Sequence, residues 1–251
     1  MKVKQIKLTI QGEGYLLGFP SILIRLCGCN LNCPYCDTKW ALSGDSEEYT
    51  PQELFNLIQQ QYFKNYDIEF YPNIMFTGGE PLLYITEIKS FIDIYNKFLS
   101  DKSYLTMPIV DIETNGLLLT RNFLTEVFYE TELDININIS PKLQTDCYKK
   151  NMTIDNLIAV YSDFENEFNV HYKIVYKKEW ENDITRFITE LKLNKHNVKI
   201  MPFMDINNNQ QFFQSNMDTV DYCIRKGIPY TPRHHIYLFG NNSLEFEDLK
   251  K

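Results

Sequence analysis

The sequence has no long apolar run and no basic stretch. No segment approaches the roughly 18 consecutive apolar residues of a membrane-spanning helix, and residues 1–7 lack the apolar core of a signal peptide. We therefore expect a cytoplasmic protein with no membrane partner. The formal net charge is −8, and no arginine-rich helix pattern is present. This argues against a nucleic-acid partner and favours a small-molecule substrate.

Cysteine is scarce but clustered. The 251 residues include 6 cysteines, and four of these lie between positions 27 and 36. Such clustering indicates metal ligation in a reducing compartment rather than a disulfide framework. Cys29, Cys33 and Cys36 have the spacing CxxxCxxC. Three closely spaced thiolates can hold three irons of a 4Fe–4S cluster and leave the fourth iron open for chemistry.

Cys27 supplies a fourth thiol, which leaves a closed tetrahedral zinc site as an alternative. Structural zinc sites usually draw their thiolates from two separated pairs, and the sequence contains no second CxxC. The β-branched run before Cys27 predicts that it ends a strand as a small buried hydrophobe. Cys147 and Cys223 lack partners at ligand spacing and are interpreted as ordinary thiols.

Short β-branched runs alternate with longer amphipathic stretches, which is typical of βα units around a parallel sheet. The predicted strands are Ser21–Cys27, Asn73–Thr77, Pro108–Glu113, Ile135–Ser140, Val170–Tyr176 and Asn197–Met201. Helices are predicted near Pro51–Lys64, Glu87–Leu99, Arg121–Tyr129, Ile154–Glu167, Glu181–Leu193 and Gln214–Lys226. About six units predict an α/β fold, either a partial (β/α) barrel of parallel strands or an open doubly wound sheet.

The length of the chain allows one large domain. We predict a single domain over residues 1–251, with an N-terminal substrate-binding segment at 1–19 and a C-terminal closing segment at about 228–251.

Two helix starts are also predicted. Thr50, Pro51 and Glu53 form a capping box with proline at the first helical position, and Thr86 is the predicted cap of the next helix.

Unusual residues follow five of the predicted strands. The first strand leads into the cysteine loop, and the others lead into residues 77–81, 113–116, 140–142 and 201–202. The carboxyl ends of parallel strands emerge on one face, where α/β folds place their active sites. We therefore expect the five loops to converge on one site.

The CxxxCxxC loop followed by Gly-Gly-Glu-Pro at 78–81 resembles the radical S-adenosylmethionine superfamily. Alone, Gly-Gly-Glu-Pro is a common turn. In that superfamily a reduced 4Fe–4S cluster cleaves the cofactor to a 5′-deoxyadenosyl radical, which abstracts hydrogen from a substrate. The resemblance covers nearly the whole chain.

Six motifs in order resemble one family more narrowly, the 7-carboxy-7-deazaguanine synthases. They lie at residues 9–14, 25–31, 36–38, 77–82, 113–116 and 140–142. The family converts 6-carboxy-5,6,7,8-tetrahydropterin to 7-carboxy-7-deazaguanine with loss of ammonia, on the route to queuosine. The resemblance implies this reaction, the cluster, S-adenosylmethionine, Mg²⁺, and an electron donor such as flavodoxin or ferredoxin. It is also compatible with a homodimer.

The resemblance also implies the site residues, with no catalytic side chain beyond the cluster and the cofactor radical. Cys29, Cys33 and Cys36 would bind the cluster, and Thr38 would bind Mg²⁺. The implied cofactor contacts are Tyr35, Cys36, Asp37, Gly79, Glu80, Glu113, Asn115, Ser140, Pro141 and Lys142. The implied substrate contacts are Ile10, Gln11, Gly12, Glu13, Arg25, Thr77 and His235.

Several of these residues have simpler interpretations. Thr38 could cap a loop, Arg25 could be a salt-bridged structural residue, and Glu113 and Asn115 could form a turn instead of binding ribose. Among enzymes, the main alternative is a glycyl-radical activase. An activase needs neither Gln-Gly-Glu-Gly at 11–14 nor Cys-Asp-Thr at 36–38, and both are present. A non-catalytic zinc-binding protein with four cysteine ligands is the alternative from another class.

Overall fold

A computed structural model describes residues 1–63, 71–100, 107–148, 152–162, 168, 170–204 and 209–239. Its strands are β1 (Lys2–Ile10), β2 (Pro20–Leu26), β3 (Glu47–Glu48), β4 (Asn73–Gly78), β5 (Ile109–Thr114), β6 (Asp134–Ile139), β7 (Val170–Tyr176) and β8 (Val198–Pro202). Its helices are α1 (Pro51–Ile58), α2 (Ile85–Ser100), α3 (Arg121–Tyr129), α4 (Ile154–Ser162), α5 (Glu181–Glu190), α6 (Asn209–Lys226) and α7 (His234–Phe239).

The strands form a mixed sheet with the order β3-β1-β2-β4-β5-β6-β7-β8. β2, β4 and β5 pair in parallel, as do β7 and β8, whereas the two-residue β3 pairs antiparallel with β1. The six predicted strands coincide with β2 and β4 to β8, so the predicted α/β fold with parallel strands is confirmed. The strands β1 and β3 and the helix α7 were not predicted.

The described chain divides into two compact units. The first unit comprises Met1–Thr9, Pro20–Leu31 and Thr38–Ile137. Within it, β2 buries Ile22, Ile24 and Leu26 completely, because all three are apolar residues of a strand flanked by neighbours. Complete burial of such side chains contributes about 1.5–3 kcal/mol each. This buried strand leads directly into the cysteine loop.

The second unit comprises Ile10–Phe19, Asn32–Asp37 and Asn138–Lys251. Every residue of β7 is buried, and Tyr161 on α4 packs edge-on against Phe187 on α5 with ring centroids 5.4 Å apart.

The single-domain prediction for residues 1–251 stays a prediction. Residues 240–251, the end of the predicted closing segment, lie outside the described residues, as does the end of the predicted helix beyond Ser162.

The capping prediction for α1 is confirmed, and that for α2 is wrong. Glu53 N–H donates to Thr50 Oγ1 at 3.2 Å, and Thr50 N–H donates to Glu53 Oε2 at 2.8 Å. Thr86 instead lies inside α2, because a 3₁₀ turn at Pro81–Tyr84 precedes that helix and is capped by Glu80. Among the described helices, none is both long and apolar enough to cross a membrane.

Candidate active site

In the first unit, the glycine pair after β4 passes very close to the cysteine loop. Gly79 N–H donates to the Leu26 carbonyl at 3.2 Å, and Glu80 N–H donates to the Gly28 carbonyl at 2.8 Å. A Cβ atom on Gly79 would lie 1.9 Å from the Gly28 carbonyl oxygen. Glycine is therefore required here for space, and it fixes the loop after β4 against the loop after β2.

We expect Gly79→Ala to destabilise the protein by more than about 3 kcal/mol, because the obstructing atom is a backbone oxygen that cannot turn away. Gly18→Ala is the matched control. Gly18 has a φ of +89° but no atom within 4 Å of an added Cβ, so only the left-handed backbone conformation, about 1–2 kcal/mol, opposes alanine there. Urea unfolding of both variants measures the difference. Equal losses of stability would contradict the close-approach argument.

Glu80 is fully buried and joins two loops of the first unit. Its carboxylate accepts hydrogen bonds from Leu82 N–H at 2.9 Å, from the Thr114 hydroxyl at 2.6 Å and from Asn115 N–H at 2.7 Å. A buried carboxylate needs such donors to offset its desolvation. Glu80 thus sets the shape of the loops after β4 and β5. Its contact with the cofactor stays a prediction.

Asn115 forms the turn that the sequence left as an alternative. Its Oδ1 accepts from Leu117 N–H at 3.0 Å, and the following Gly116 has a φ of +82°. The same side chain donates through Nδ2 to Asn30 Oδ1 at 2.8 Å, and so it also holds the cysteine loop. Glu113 is half-buried on β5. A ribose contact by Glu113 and Asn115 stays a prediction.

Two predicted substrate contacts are neighbours in the first unit. Arg25 on β2 and Thr77 on β4 are register partners, and both are half-buried. The guanidinium of Arg25 lies over the Trp40 ring at 5.3 Å, and its Nε donates to Gln5 Oε1 at 3.4 Å. Burial and the charge of Arg25 lower the pKa of Lys7. The structure thus brings the positive charges of Arg25 and Lys7 close enough to interact, and such a pair of charges suits a carboxylate ligand.

Cys27 and Cys29 have different surroundings. Cys27 is buried, its N–H donates to the Lys2 carbonyl at 2.9 Å, and its carbonyl accepts from the Tyr84 hydroxyl at 3.0 Å. Cys29 is half-buried, and its sulfur accepts from Leu31 N–H at 3.4 Å. A backbone donor on a sulfur stabilises the thiolate form that binds iron. These contacts agree with Cys29 as a ligand and Cys27 as a packing residue.

Thr38, the predicted magnesium ligand, precedes a 3₁₀ turn at Lys39–Ala41 in the first unit. It occupies the cap position, but its side chain makes no capping hydrogen bond. The alternative role of a loop cap is therefore not realised. Its role as a magnesium ligand stays a prediction.

In the second unit, the Gln-Gly-Glu-Gly segment is joined to the C-terminal segment. His234 N–H donates to the Gly12 carbonyl at 2.8 Å, and Gly14 N–H donates to Thr231 Oγ1 at 2.9 Å. A Cβ on Gly12 would lie 2.4 Å from Nδ1 of His235. The predicted contacts Gly12 and His235 are thus adjacent, and the glycine makes room for the imidazole.

Gln11 closes the other side of this loop. It is buried, its N–H donates to the Phe19 carbonyl at 2.8 Å, and its own carbonyl accepts from Gly18 N–H at 2.8 Å. Its Oε1 accepts from Glu13 N–H at 3.2 Å. Ile10, the last residue of β1, precedes it. The amide of Gln11 is consequently held in one orientation before any substrate binds.

Four charged side chains of the second unit, which we call the Glu13 charge cluster, are Glu13, Asp37, Lys173 and Arg233. Lys173 Nζ lies 2.8 Å from Glu13 Oε2, and Arg233 Nη1 lies 3.6 Å from Glu13 Oε1. Arg233 also forms an ion pair with Asp37. The Lys173 and Arg233 side chains are only 8% exposed and that of Glu13 is 14% exposed. The two carboxylates and two cations balance in charge.

These charges determine protonation at the loop. Burial would raise the pKa of Glu13, but the charges of Lys173, Arg233 and His235 outweigh it and hold that pKa well below its usual range. His235 lies 3.8 Å from Glu13, and burial lowers its pKa despite the nearby carboxylate. The cluster therefore presents an ionised acceptor, Glu13, beside a neutral imidazole at neutral pH.

Tyr35 lies in a group of three rings in the second unit, which we call the Tyr35 aromatic group: Tyr35, Trp180 and Phe203. The Tyr35 ring centroid is 5.2 Å from that of Trp180 and 6.0 Å from that of Phe203. Lys177 Nζ lies 5.3 Å from the Phe203 centroid. The Tyr35 hydroxyl donates to Gln144 Oε1, which fixes the ring. Such a group suits a flat heteroaromatic ligand such as adenine.

The predicted cofactor contacts after β6 bind one another. Lys142 Nζ donates to Ser140 Oγ at 2.8 Å and to the Ser140 carbonyl at 3.0 Å, across Pro141. The Tyr148 hydroxyl donates to the Lys142 carbonyl at 2.6 Å. The lysine is thus held over its own loop, where it can donate to a carboxylate or a hydroxyl group.

The predicted cluster ligands fit an iron–sulfur cluster in their chemistry. All six cysteines are free of disulfides, and Cys36 N–H donates to the Cys33 carbonyl at 3.2 Å, which makes a turn of the second half of the CxxxCxxC loop. Within the part of the chain that the structure describes, no group of three or more His, Cys, Asp or Glu side chains is placed to hold a metal ion. The ligand set stays a prediction from spacing and family.

Four residues of these groups were missed from the sequence. Lys173 had a detectable signal, since it places a charged residue within a mostly apolar strand, and Arg233 directly precedes the paired histidines. Trp180 and Phe203 follow the ends of β7 and β8, but nothing in their neighbourhood distinguished them from core aromatics. The fold alone brings them to Tyr35.

The chain is similar to known proteins over most of its length. Residues 23–153 match the Radical SAM superfamily. A 7-carboxy-7-deazaguanine synthase from Clostridium acetobutylicum is 31% identical over 205 residues, which cover 80% of each chain. One from Aquifex aeolicus is 34% identical over 185 residues, which cover 74% of this chain and 72% of that protein. This chain belongs to the 7-carboxy-7-deazaguanine synthase family.

Solved structures agree with the synthase family in fold. QueE from Escherichia coli has a TM-score of 0.60 at 18% identity and covers 93% of this chain and 94% of its own. The enzyme anSMEcpe with bound AdoMet has a TM-score of 0.59 at 14% identity, over 88% of this chain and 66% of its own. The predicted partial barrel of the radical SAM type is confirmed, and so is the assignment to the synthase family over an activase or a zinc protein.

Proposed function

We propose that this chain is a radical S-adenosylmethionine lyase that converts 6-carboxy-5,6,7,8-tetrahydropterin to 7-carboxy-7-deazaguanine with loss of ammonia, in deazapurine biosynthesis. Its relatives carry the name 7-carboxy-7-deazaguanine synthase. The observation that carries the proposal is the junction between the Gln-Gly-Glu-Gly loop and the C-terminal segment, where Glu13 and His235 meet. This junction holds ready-made acceptors and donors for the polar edge of a pterin.

The charge state of the junction supports a pterin. An ionised Glu13 accepts hydrogen bonds from ring N–H and amino groups, and the fixed amide of Gln11 offers both a donor and an acceptor. The neutral His235 can donate through one ring nitrogen and accept through the other. Arg25 and Thr77 are our proposed partners for the substrate carboxylate, because a guanidinium binds a carboxylate through two donors.

The cofactor would be held by groups that already have fixed positions. The Tyr35 aromatic group would contact the adenine, and Lys142 would bind polar groups of the cofactor from its position over Ser140. Cys29, Cys33 and Cys36 would bind the 4Fe–4S cluster, which when bound supplies the electron that cleaves S-adenosylmethionine. Thr38 would supply a hard oxygen ligand to Mg²⁺. A flavodoxin or ferredoxin would deliver the electron.

A product assay tests this function. Anaerobically reconstituted protein with S-adenosylmethionine, reductant, Mg²⁺ and 6-carboxy-tetrahydropterin should form 7-carboxy-7-deazaguanine, detected by mass spectrometry. In a control without pterin, 5′-deoxyadenosine should form only slowly. Omission of Mg²⁺ should lower the yield of deazaguanine. The proposal would be contradicted if protein with a full cluster cleaved the cofactor but neither bound nor consumed the pterin.

A further inference from the structure

Three polar side chains of the second unit join α6 to the C-terminal segment, and we call them the Asn216 group: Asn216, Tyr230 and Tyr237. The Tyr230 hydroxyl donates to Asn216 Oδ1 at 2.6 Å, and the Tyr237 hydroxyl donates to the same oxygen at 3.0 Å. Asn216 Nδ2 donates to the Phe212 carbonyl at 2.7 Å, one turn earlier on α6. One amide oxygen thus binds two tyrosines from outside the helix.

Asn216 has no advantage for α6 itself. Asparagine forms helices less readily than alanine or leucine, and a buried amide costs free energy unless it is hydrogen-bonded. Asn216 is nevertheless 8% exposed on an 18-residue helix. Its Nδ2 is bound to the Phe212 carbonyl, which turns Oδ1 towards the tyrosines. The two hydroxyls therefore account for an amide at this position.

The two tyrosines differ in what else holds them. Tyr230 precedes Thr231, whose N–H donates to the Ile200 carbonyl of β8 at 2.9 Å, so its backbone is fixed beside that strand. Tyr237 lies on α7, is 56% exposed, and has its ring centroid 5.5 Å from that of Phe212. A helix of six residues is too short to be stable on its own. The hydroxyl of Tyr237 thus ties a short helix to a long one.

The opposite face of α7 carries a predicted substrate contact. His235 and Tyr237 are two residues apart, which places them about 200° apart around the helix axis. His235 lies 3.8 Å from Glu13, and His234 N–H donates to the Gly12 carbonyl at 2.8 Å. Since α7 is rigid over so few residues, the bond that fixes Tyr237 on α6 also fixes the imidazole on the other face.

We propose that Asn216 is a positioning residue, which binds the Tyr237 hydroxyl, holds α7 on α6 and so keeps His235 beside Glu13 for the pterin. This inference rests on the proposed function, because it takes His235 as a pterin contact. Without the amide oxygen, α7 loses its hydrogen bond to α6. Binding of the pterin then has to order the helix as well, which lowers affinity although no group that touches the pterin has changed.

The test uses two measurements on anaerobically reconstituted protein with S-adenosylmethionine and no reductant: the Kd of 6-carboxy-tetrahydropterin, and hydrogen–deuterium exchange of the α7 amides without pterin. Tyr237→Phe removes one hydroxyl and should raise the Kd roughly 2- to 10-fold, as expected for one hydrogen bond. It should also speed exchange in α7. Tyr222→Phe is the matched control. It removes a hydroxyl from α6 whose partner is Thr185 on α5, at 3.1 Å, and should change neither quantity.

Double variants show whether the effect passes through the proposed residues. Tyr237→Phe should have no further effect on the Kd in Asn216→Ala protein, and none in His235→Ala protein. A full loss of affinity in the His235→Ala background would overturn the inference, because a merely structural role does not depend on the imidazole. So would unchanged α7 exchange in folded Tyr237→Phe and Asn216→Ala proteins.

Two further outcomes are separated by the same measurements. If Asn216→Ala does not fold by circular dichroism, Tyr230→Phe combined with Tyr237→Phe removes both hydroxyls and keeps the amide, and it should reproduce the raised Kd and the faster exchange. Loaded wild-type protein that binds no pterin overturns the proposed function. The exchange data then decide the anchor alone: faster exchange in Tyr237→Phe supports it, and unchanged exchange overturns it.

Discussion

Cys33→Ala should abolish cleavage of S-adenosylmethionine, whereas Cys27→Ala should leave it intact. The proposed cluster has three protein ligands, and this substitution removes one of them. Cys33 is buried, so the variant also leaves a gap inside the cysteine loop. Cys27 by contrast is not one of the proposed ligands, and its backbone is hydrogen-bonded to Lys2 and Tyr84. The measurements are iron and sulfide content and the rate of 5′-deoxyadenosine formation with dithionite.

The neighbouring Cys147 makes a further control necessary. The Cys147 carbonyl accepts a hydrogen bond from Asn32 N–H at 3.1 Å, so its thiol lies beside the loop that carries Cys33 and is a candidate replacement ligand for a cluster that has lost Cys33. The double variant Cys33→Ala, Cys147→Ala shows whether residual iron in Cys33→Ala protein depends on this thiol. Cleavage at the wild-type rate in the double variant would refute Cys33 as a ligand. Loss of activity in Cys27→Ala as well would favour the alternative in which Cys27 is a fourth metal ligand.

The sequence predicted the parts of the structure that depend on local pattern. Each central strand is a short run with β-branched residues, and such a run can be recognised from its own residues without knowledge of the rest of the chain. The capping box at Thr50 is likewise local, since its two hydrogen bonds join residues three positions apart. The short α7 was missed because its helix has only six residues.

Contacts between distant segments could not be predicted in the same way. Glu80 was interpreted as a cofactor contact from its motif, yet its hydrogen bonds to Thr114 and Asn115 require two strands to be neighbours. Arg233 meets Asp37 across 196 positions of sequence. A single sequence carries no signal for such a pair, because opposite charges at a distance are common by chance. The fold decides which of them meet.

Glu13→Gln should destabilise the protein by about 3–5 kcal/mol at neutral pH. The substitution keeps the shape of the side chain but removes the ionised partner of two buried cations, Lys173 and Arg233. An uncompensated buried charge has that cost. Urea unfolding at pH 7 measures it. Asp155→Asn is the matched control, because Asp155 also pairs with an arginine, Arg186, but both side chains are exposed and little change is expected.

The pH dependence of this difference separates charge from packing. The pKa of Glu13 is lower in the folded protein than its ordinary value, so the stabilisation is complete above an unfolded pKa of about 4.3 and is lost as the pH falls through the lowered folded value. Protonated glutamate and glutamine are nearly isosteric. The difference between wild type and Glu13→Gln should therefore be full at pH 6–7 and shrink progressively below about pH 4.3. A difference that stays constant down to acid pH would show that Glu13 acts through its shape, and that the Glu13 charge cluster does not hold an ionised acceptor for the pterin.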